Sequence, residues 1–270
     1  MIILPKISPE LISIGPLAIR WYSLMYLLGY VVGFKIAQKR IERGLLKISR
    51  EALDSWVTDR VVGMLIGARV FYVVFYNWSY YTDNPSELLM FWLGGLSFHG
   101  AAVGMIISSW LFARKNKISF FSATDSLAIA AGPGLFFGRI GNFINGELFG
   151  REAHVPWAMV FPSDPQHIPR HPSQIYQGLT EGLLLWFILN YIQNKSIRDG
   201  KFRHGLVGGS FLLGYGIIRF LIEFTREPDA QVGYLFSWIT MGQLLCAAMM
   251  IAGIVVLYIA RSTPIVKNIK

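Results

Sequence analysis

Long apolar runs alternate with short polar segments along this chain. Each run has about 20 residues, enough for a helix that rises about 1.5 Å per residue to cross a hydrocarbon core about 30 Å thick. The pattern predicts an all-α polytopic membrane protein of about seven transmembrane helices, with residues 1–270 forming a single integral membrane domain. The predicted runs are 14–34, 55–76, 88–112, 121–140, 174–193, 205–224 and 236–260.

The distribution of Lys and Arg predicts the orientation of these helices. Residues 35–50, 114–117, 195–203 and 261–270 hold 16 of the 25 basic residues, whereas residues 77–87 between them hold none. Because cytoplasmic loops of membrane proteins are enriched in Lys and Arg, the N-terminus should lie outside and the C-terminus inside. Residues 141–172 then form an outer-face segment.

The outer-face segment 141–172 contains five prolines, which are incompatible with a continuous helix. We therefore expect extended or turned chain that forms part of the site and a small cap on the outer face, which would be periplasmic or extracellular. Proline content alone fits an ordinary surface loop equally well.

Composition excludes several classes of protein. Hydrophobic residues make up 53% of the chain and charged residues 15%, values typical of membrane proteins. The net charge of +9 does not indicate nucleic acid, because the basic residues cluster between apolar runs. Cys246 is the one cysteine, so neither an intrachain disulfide nor a cysteine metal site can form, and we predict that it is a buried apolar side chain.

Residues 138–151 concentrate polar groups beside an apolar run. Arg139, Asn142 and Asn145 offer hydrogen-bond donors, and the glycines among them favour tight turns and close approach of a ligand. The combination suits an anionic headgroup. The glycines are Gly138, Gly141, Gly146 and Gly150.

The run 205–224 has one polar helical face. Tyr215, Arg219 and Glu223 follow one another at intervals of four residues. An arginine facing lipid costs about 2.5 to 3.5 kcal/mol even on the lenient insertion scale, so Arg219 should face the interior and pair with Glu223 or an anion. Together with Arg139 it would form a cationic pocket, although a structural ion pair at a helix end also explains the pattern.

Two other apolar runs contain isolated ionisable residues. His99 lies among small residues and could accept a proton near neutral pH, but a hydrogen-bonded core histidine gives the same pattern. Arg69 lies close to Gly63 and Gly67, and we predict that it makes an interior hydrogen bond.

The first run carries a stripe of residues that could line a cavity. Tyr22 belongs to it, although aromatic residues at this depth also form anchoring belts at the membrane surface. The other members are Tyr26, Gly29 and Gly33.

The motifs described above resemble the bacterial prolipoprotein diacylglyceryl transferase family. Residues 138–151 match its signature without a break, and the likeness extends through Arg20-Trp-Tyr, residues 94–100, Arg170-His-Pro-Ser-Gln and residues 215–226. The resemblance implies transfer of the diacylglyceryl group of phosphatidylglycerol to the lipobox cysteine thiol of a prolipoprotein. The products are a thioether and glycerol phosphate, and no cofactor and no metal are required.

The resemblance also implies a bacterial plasma (inner) membrane location, with a multi-pass chain and the active site toward the outer face. Expected partners are phosphatidylglycerol, the prolipoprotein signal-peptide lipobox cysteine and membrane lipid, with no nucleic acid. The resemblance and the polar pattern together predict two groups of site residues. The catalytic group is His99, Arg139, Arg219 and Tyr22. The substrate-binding group is Asn142, Asn145, Glu147, Gly150, Tyr215 and Glu223.

In the reaction that the resemblance implies, Arg139 and Arg219 hold the phosphate and stabilise its developing charge. His99 is our candidate for the base that activates the thiol, and Glu147 and Glu223 position the arginines. A lipid or anion transporter (a flippase) would use similar intramembrane arginines and broken helices, although the sequence shows no inverted repeat. An intramembrane protease has less support, since no persuasive catalytic set occurs in the runs.

Overall fold

The structure is a computed structural model that describes residues 2–14, 17–90, 94–227, 234–235, 239–267 and 269. It is mostly helical. The helices are α1 Trp21–Glu42, α2 Arg50–Tyr76, α3 Trp78–Asp83, α4 Phe98–Lys115, α5 Phe120–Ile144, α6 Ser173–Gln177, α7 Leu185–Arg198, α8 Leu206–Ile222 and α9 Met241–Ala260. A π-helical stretch, Gly178–Leu184, joins α6 to α7, and single 3-10 turns cover Pro85–Glu87 and Glu223–Thr225.

The strands are short. They are β1 Ile2–Ile3, β2 Glu10–Ile14, β3 Leu17–Arg20, β4 Met159–Val160, β5 Pro169–Arg170, β6 Tyr234–Leu235 and β7 Ile239–Thr240. Strands β2 and β3 form an antiparallel hairpin, as do β6 and β7, and β4 lies between β1 and β5 in a three-stranded sheet.

Among the predicted starts of the runs, those of the first and the third are wrong by the largest margins. The first run was expected to be helical from residue 14, but β3 continues to Arg20 and α1 begins at Trp21. Hydropathy cannot separate these states, because Leu17-Ala-Ile-Arg20 is as apolar as the start of a helix. The third run was expected from residue 88, yet α4 begins at Phe98 because Gly94 and Gly95 have φ values of 90° and 73°, outside the helical region.

Three helical segments among the described residues are long and apolar enough to cross a membrane. They are Phe120–Ile144, Leu206–Thr225 and Met241–Ala260. These segments correspond to the fourth, sixth and seventh predicted runs.

The chain forms two compact units, one of residues 38–124 and one of residues 1–37 with 125–269. In the first of these, α2 and α4 pack in close contact through facing glycines. A methyl group on Gly67 would collide with the Gly100 carbonyl oxygen, and one on Gly104 with the Gly63 carbonyl oxygen. Small residues thus bring the two backbones together, as in membrane helix pairs.

Arg69 of α2 makes the interior hydrogen bonds predicted for it. The guanidinium donates to the backbone oxygens of Glu87, Leu88 and Gly94 at 2.6, 2.8 and 2.7 Å. The side chain therefore holds the backbone of Glu87, Leu88 and Gly94 against α2.

In the larger unit, α1 packs along α5. A methyl group on Gly29 would lie 3.2 Å from the Gly134 Cα atom, and one on Gly33 would lie 3.6 Å from the Ala130 Cβ atom. These two glycines therefore form a helix-packing surface, and the expectation that they line a cavity is wrong. Helices α8 and α9 pack similarly, with Gly216 against the Met250 side chain and Gly253 against the Leu213 backbone. Cys246 is buried, as predicted.

Residues 145–172 follow α5, and the two-residue strands β4 and β5 are the only regular secondary structure among them. This irregular course agrees with the proline content. Phe161 is completely buried here, and its ring lies 6.1 Å from that of Phe143 and 5.2 Å from that of Phe149. The aromatic cluster gives the segment a core of its own.

The start of α8 is held by a carboxylate from α5. Asp125 is fully buried and accepts the backbone N–H groups of Gly205 and Gly208 at 2.9 and 2.7 Å. These are first-turn donors that have no partner within the helix. Asp125 therefore stabilises the N-terminus of α8 and joins it to α5.

We predict that Asp125→Asn lowers the free energy of unfolding by about 2 kcal/mol, because hydrogen bonds to charged groups are worth about 1.5 to 3 kcal/mol. Thermal unfolding in detergent, followed by tryptophan fluorescence, measures the change. Asp199→Asn is the matched control, since Asp199 is exposed at the end of α7. Equal melting temperatures for the two variants would contradict the role given to Asp125.

Candidate functional site

The end of α5 assembles four of the predicted polar residues. Arg139 Nη1 lies 3.5 Å from Asn142 Oδ1, and Asn142 Nδ2 donates to Glu147 Oε1 at 2.8 Å. Asn145 Nδ2 lies 3.4 Å from the same Glu147 oxygen. The carboxylate of Glu147 thus gathers the two asparagines and is connected to Arg139 through Asn142.

The glycines of residues 138–151 do not all make the tight turns that were predicted for them. Gly138 and Gly141 lie inside α5, so they do not make turns. Gly146 does, with φ of 67°, and it reverses the chain directly after the helix. The turn brings Glu147 back toward Asn142.

The end of α8 presents a second charged group. Arg219 Nη2 lies 3.1 Å from Glu223 Oε2, which confirms the predicted pairing along one helical face. Arg226 Nη1 lies 4.0 Å from the same oxygen, and Thr240 Oγ1 donates to Glu223 Oε1 at 3.1 Å. Glu223 is thereby fixed from three directions.

Glu181 connects the two arginines, and the sequence reasoning missed it. Its Oε2 lies 3.8 Å from Arg139 Nη2, and its Oε1 lies 3.6 Å from Arg219 Nη1. The side chain is completely buried and belongs to the π-helical stretch Gly178–Leu184. A usable signal existed, because Glu181 is the single charged residue of the run 174–193 and ionisable groups within membrane spans are usually functional.

Two glutamines of α6 accompany Glu181 on the buried side of this helix. Gln174 is completely buried and donates from Nε2 to the Glu147 backbone oxygen at 2.6 Å. Gln177 is 1% exposed, and neither of its amide atoms has a hydrogen-bond partner among the described residues. The helix that supplies Glu181 therefore also supports the loop after α5.

Gly150 is placed where no side chain fits. A methyl group there would collide with the Thr225 carbonyl oxygen and with Ser173 Oγ. Its own N–H donates to the His171 carbonyl oxygen at 2.8 Å, and it forms a bridge with Arg226. Gly150 has no positive φ, so its small size, and not a backbone turn, explains the residue.

The two predicted tyrosines lie on different helices. The ring of Tyr22, in α1, would be 2.7 Å from a methyl group on Gly141, so it packs directly on α5 at a position two residues after Arg139. Its hydroxyl lies 3.1 Å from that of Tyr26. Tyr215 of α8 lies one turn before Arg219 and stacks on Phe211 with ring centroids 5.7 Å apart.

The structure does not test the site role predicted for His99. Its backbone lies in α4, which belongs to the unit of residues 38–124, and its side chain lies outside the described part of the structure. Its role as a base stays a prediction.

A buried ion pair stabilises the segment of residues 141–172. Arg170 donates from Nε to Asp164 Oδ2 at 2.8 Å and from Nη1 to Glu227 at 3.2 Å. Burial alone would raise the pKa of Asp164, but the hydrogen bonds from Arg170 and from the Gln166 backbone hold that pKa below its ordinary value of 3.8. The carboxylate is therefore ionised throughout the neutral range.

An aromatic group lies beside this pair. Trp157 Nε1 donates to the Tyr176 hydroxyl at 2.6 Å, and His171 Nδ1 lies 3.2 Å from the same oxygen. Burial lowers the pKa of His171 below its ordinary value, so the ring is neutral at pH 7.

The cluster as a whole can bind an anion. Arg139 and Arg219 share the carboxylate of Glu181. Both side chains are mostly buried, at 19% and 12% exposed. Planar guanidinium groups match phosphate oxygens in pairs, and low exposure strengthens such contacts.

Comparisons with known proteins agree on one family. The family model for prolipoprotein diacylglyceryl transferase matches residues 9–259. Three relatives are each called phosphatidylglycerol–prolipoprotein diacylglyceryl transferase. The protein of Nitratidesulfovibrio vulgaris strain DP4 is 43% identical over 255 residues, which cover 94% of this chain and 95% of the relative. That of Azotobacter vinelandii is 46% identical over 250 residues, 92% of each chain, and that of Azospirillum brasilense is 45% identical over 263 residues, 96% of this chain and 97% of the relative.

We predict that Asp164→Asn destabilises the protein by about 3 kcal/mol at neutral pH, because one partner of a buried pair is lost. A lowered pKa means that the contribution of Asp164 is complete above the unfolded value near 3.8 and is lost as the pH falls through the lower folded value. Wild-type and variant stabilities should therefore differ by a constant amount from pH 5 to 8 and converge below about pH 4.

Thermal melts across this range check the prediction. Glu152→Gln is the control, since that carboxylate lies in the same segment and its side chain is 56% exposed. A difference between wild type and Asp164→Asn that changes between pH 5 and 8 would rule out the assigned cause.

Proposed function

The chain belongs to the prolipoprotein diacylglyceryl transferase family, and on this premise we propose that it transfers the diacylglyceryl group of phosphatidylglycerol to the lipobox cysteine of a prolipoprotein. It is a transferase, and its substrates are phosphatidylglycerol and a prolipoprotein. The observation that carries the site assignment is the pair of mostly buried arginines, Arg139 and Arg219, on the two sides of Glu181.

The arginines fit the phosphate of the lipid. The phosphodiester carries one negative charge, and the departing glycerol phosphate carries more. Donors already fixed in a poorly hydrated site stabilise that increase without reorganising, which lowers the barrier to departure. Asn142, Asn145 and Tyr22 are proposed to orient the headgroup, and Tyr215 lines the site one turn before Arg219.

The reaction balances without a cofactor or a metal. The thiol loses its proton to a base, and the sulfur attacks the glyceryl CH₂ that carries the phosphate. The carbon–sulfur bond forms as the carbon–oxygen bond breaks, and the electron pair leaves with glycerol phosphate. A thiol with an ordinary pKa of about 8.5 needs such a base near pH 7, and we propose His99 for this step.

We also propose the membrane arrangement that the charge pattern indicates. The chain would cross the bacterial plasma (inner) membrane seven times as one domain, with the N-terminus outside and the C-terminus inside. Residues 141–172 would cap the outer face and contribute to the site. The placement of residues 141–172 supports this assignment, since the segment follows Arg139 directly and is joined to Arg226 through Gly150.

The decisive test is mass spectrometry of a lipobox peptide incubated with purified protein and phosphatidylglycerol. We expect the peptide to gain one diacylglyceryl group when its cysteine is present, and we expect Arg139→Ala to reduce the rate at least a hundredfold, since charge stabilisation of this kind is worth about 10² to 10³. Reconstituted wild-type protein that moves lipid across vesicles but leaves the peptide unmodified would favour the transporter instead.

His99→Gln tests the base. We expect a fall in rate of about 10² to 10⁴ at pH 7, because general-base help is usually worth that much. The loss should shrink at pH 9, where the thiol ionises without help. A variant with the wild-type rate at neutral pH would remove His99 from this step.

A further inference from the structure

We propose that Glu181 is a positioning residue that fixes the spacing of Arg139 and Arg219 so that both guanidinium groups face one phosphate. The inference rests on the proposed function and names a residue that the sequence motifs did not include. Its carboxylate gives one oxygen to each arginine, Oε2 to Arg139 and Oε1 to Arg219.

The two contacts between Glu181 and the arginines are close enough for strong electrostatic attraction but too long for good hydrogen bonds. The two distances are 3.8 and 3.6 Å, whereas a well-formed N–H···O bond spans about 2.7 to 3.2 Å. Neither Glu181 oxygen has a hydrogen-bond partner among the described residues, and Arg219 Nη1 is likewise a buried donor without one. The carboxylate thus aligns the arginines by charge while hydrogen-bonding capacity remains for an incoming anion.

The backbone leaves Glu181 no freedom to move away. Gly178 and Gly182 on the same stretch lie directly on α5, where added methyl groups would be 3.4 Å from Arg139 Cβ and 2.9 Å from Phe136 Cβ. These contacts bring the helix close enough for the side chain between them to reach both arginines. The stretch is π-helical, a form that occurs mostly in single turns and frequently at functional sites.

A structural role alone does not account for this arrangement. Burying an ion pair costs desolvation energy that apolar residues of the same volume would avoid, so such pairs are weak stabilisers. Asp125 is the contrasting case within the same unit, since it is equally buried but accepts well-formed hydrogen bonds from Gly205 and Gly208. Asp125 therefore stabilises the fold, whereas Glu181 positions the arginines.

Glu181→Gln keeps the shape and removes the charge. Its amide would point an N–H toward one arginine, so the two guanidinium groups would no longer share a partner. We expect kcat to fall at least tenfold while KM for phosphatidylglycerol stays the same or falls, because arginines released from a carboxylate still bind an anion. Glycerol phosphate carries more negative charge than the lipid phosphate, so it should bind more tightly to the variant than to the wild type.

The experiment compares wild type, Glu181→Gln, Glu181→Asp and Asp125→Asn in three measurements: thermal unfolding, kcat and KM with a lipobox peptide, and calorimetric binding of glycerol phosphate. Glu181→Asp keeps the charge but is one methylene shorter, so it should recover part of kcat and bind glycerol phosphate as the wild type does. Asp125→Asn should melt earlier with unchanged kcat and unchanged binding.

The proposal is overturned if folded Glu181→Gln has wild-type kcat, or if glycerol phosphate binds it no more tightly than it binds the wild type. Should Glu181→Gln fail to fold, Glu181→Asp decides, and wild-type kcat in that variant overturns the proposal. Failure of the proposed function is separate, because wild-type protein would then leave the peptide unmodified while the calorimetry still compares the variants.

Discussion

The need for negative charge beside two mostly buried arginines is the constraint on which the rest of this structure depends. Arg139 and Arg219 lie on helices that are long and apolar enough to cross a membrane, where an unpaired guanidinium is costly. Glu223 supplies compensation from the same helix end as Arg219, whereas Glu181 supplies it from a separate segment that must approach closely. The glycines that permit this approach, Gly178 and Gly182, are therefore as much a part of the site as the charges are.

The same constraint explains why three chain segments far apart in sequence converge. The end of α5 provides Arg139 and the asparagines, the stretch after α6 provides Glu181, and the end of α8 provides Arg219 and Glu223. Thr240, at the start of α9, completes the arrangement by donating to Glu223. The contacts of Glu181 with Arg139 and Arg219 join residues that are far apart in sequence, so the site exists only when the larger unit is folded.

Sequence reasoning recovered the elements whose signal is local. The helices over residues 120–144, 206–225 and 241–260 follow from uninterrupted hydropathy, and the Arg219–Glu223 pair follows from helical spacing. It failed at the start of the first run, because an apolar strand and an apolar helix have the same hydropathy. It also assigned Gly29 and Gly33 to a cavity, because the sequence does not show whether a glycine contacts another helix or an open space. Glu181 was missed because it lies outside the polar motifs, although one carboxylate in an apolar run is itself a signal. The seven-helix count, the orientation and the role of His99 stay predictions.

The backbone link at Gly150 has a mechanical consequence. Gly150 bridges to Arg226, and Arg151 N–H donates to the Thr225 carbonyl oxygen at 3.0 Å, so the chain leaving α5 is joined to the chain leaving α8. Helices in a bilayer tilt to match its thickness, and a site built from independent helices would change its dimensions as they do. In a bilayer, two helices whose ends are joined in this way would tilt together, so the distance between the arginines would depend less on the thickness of the bilayer.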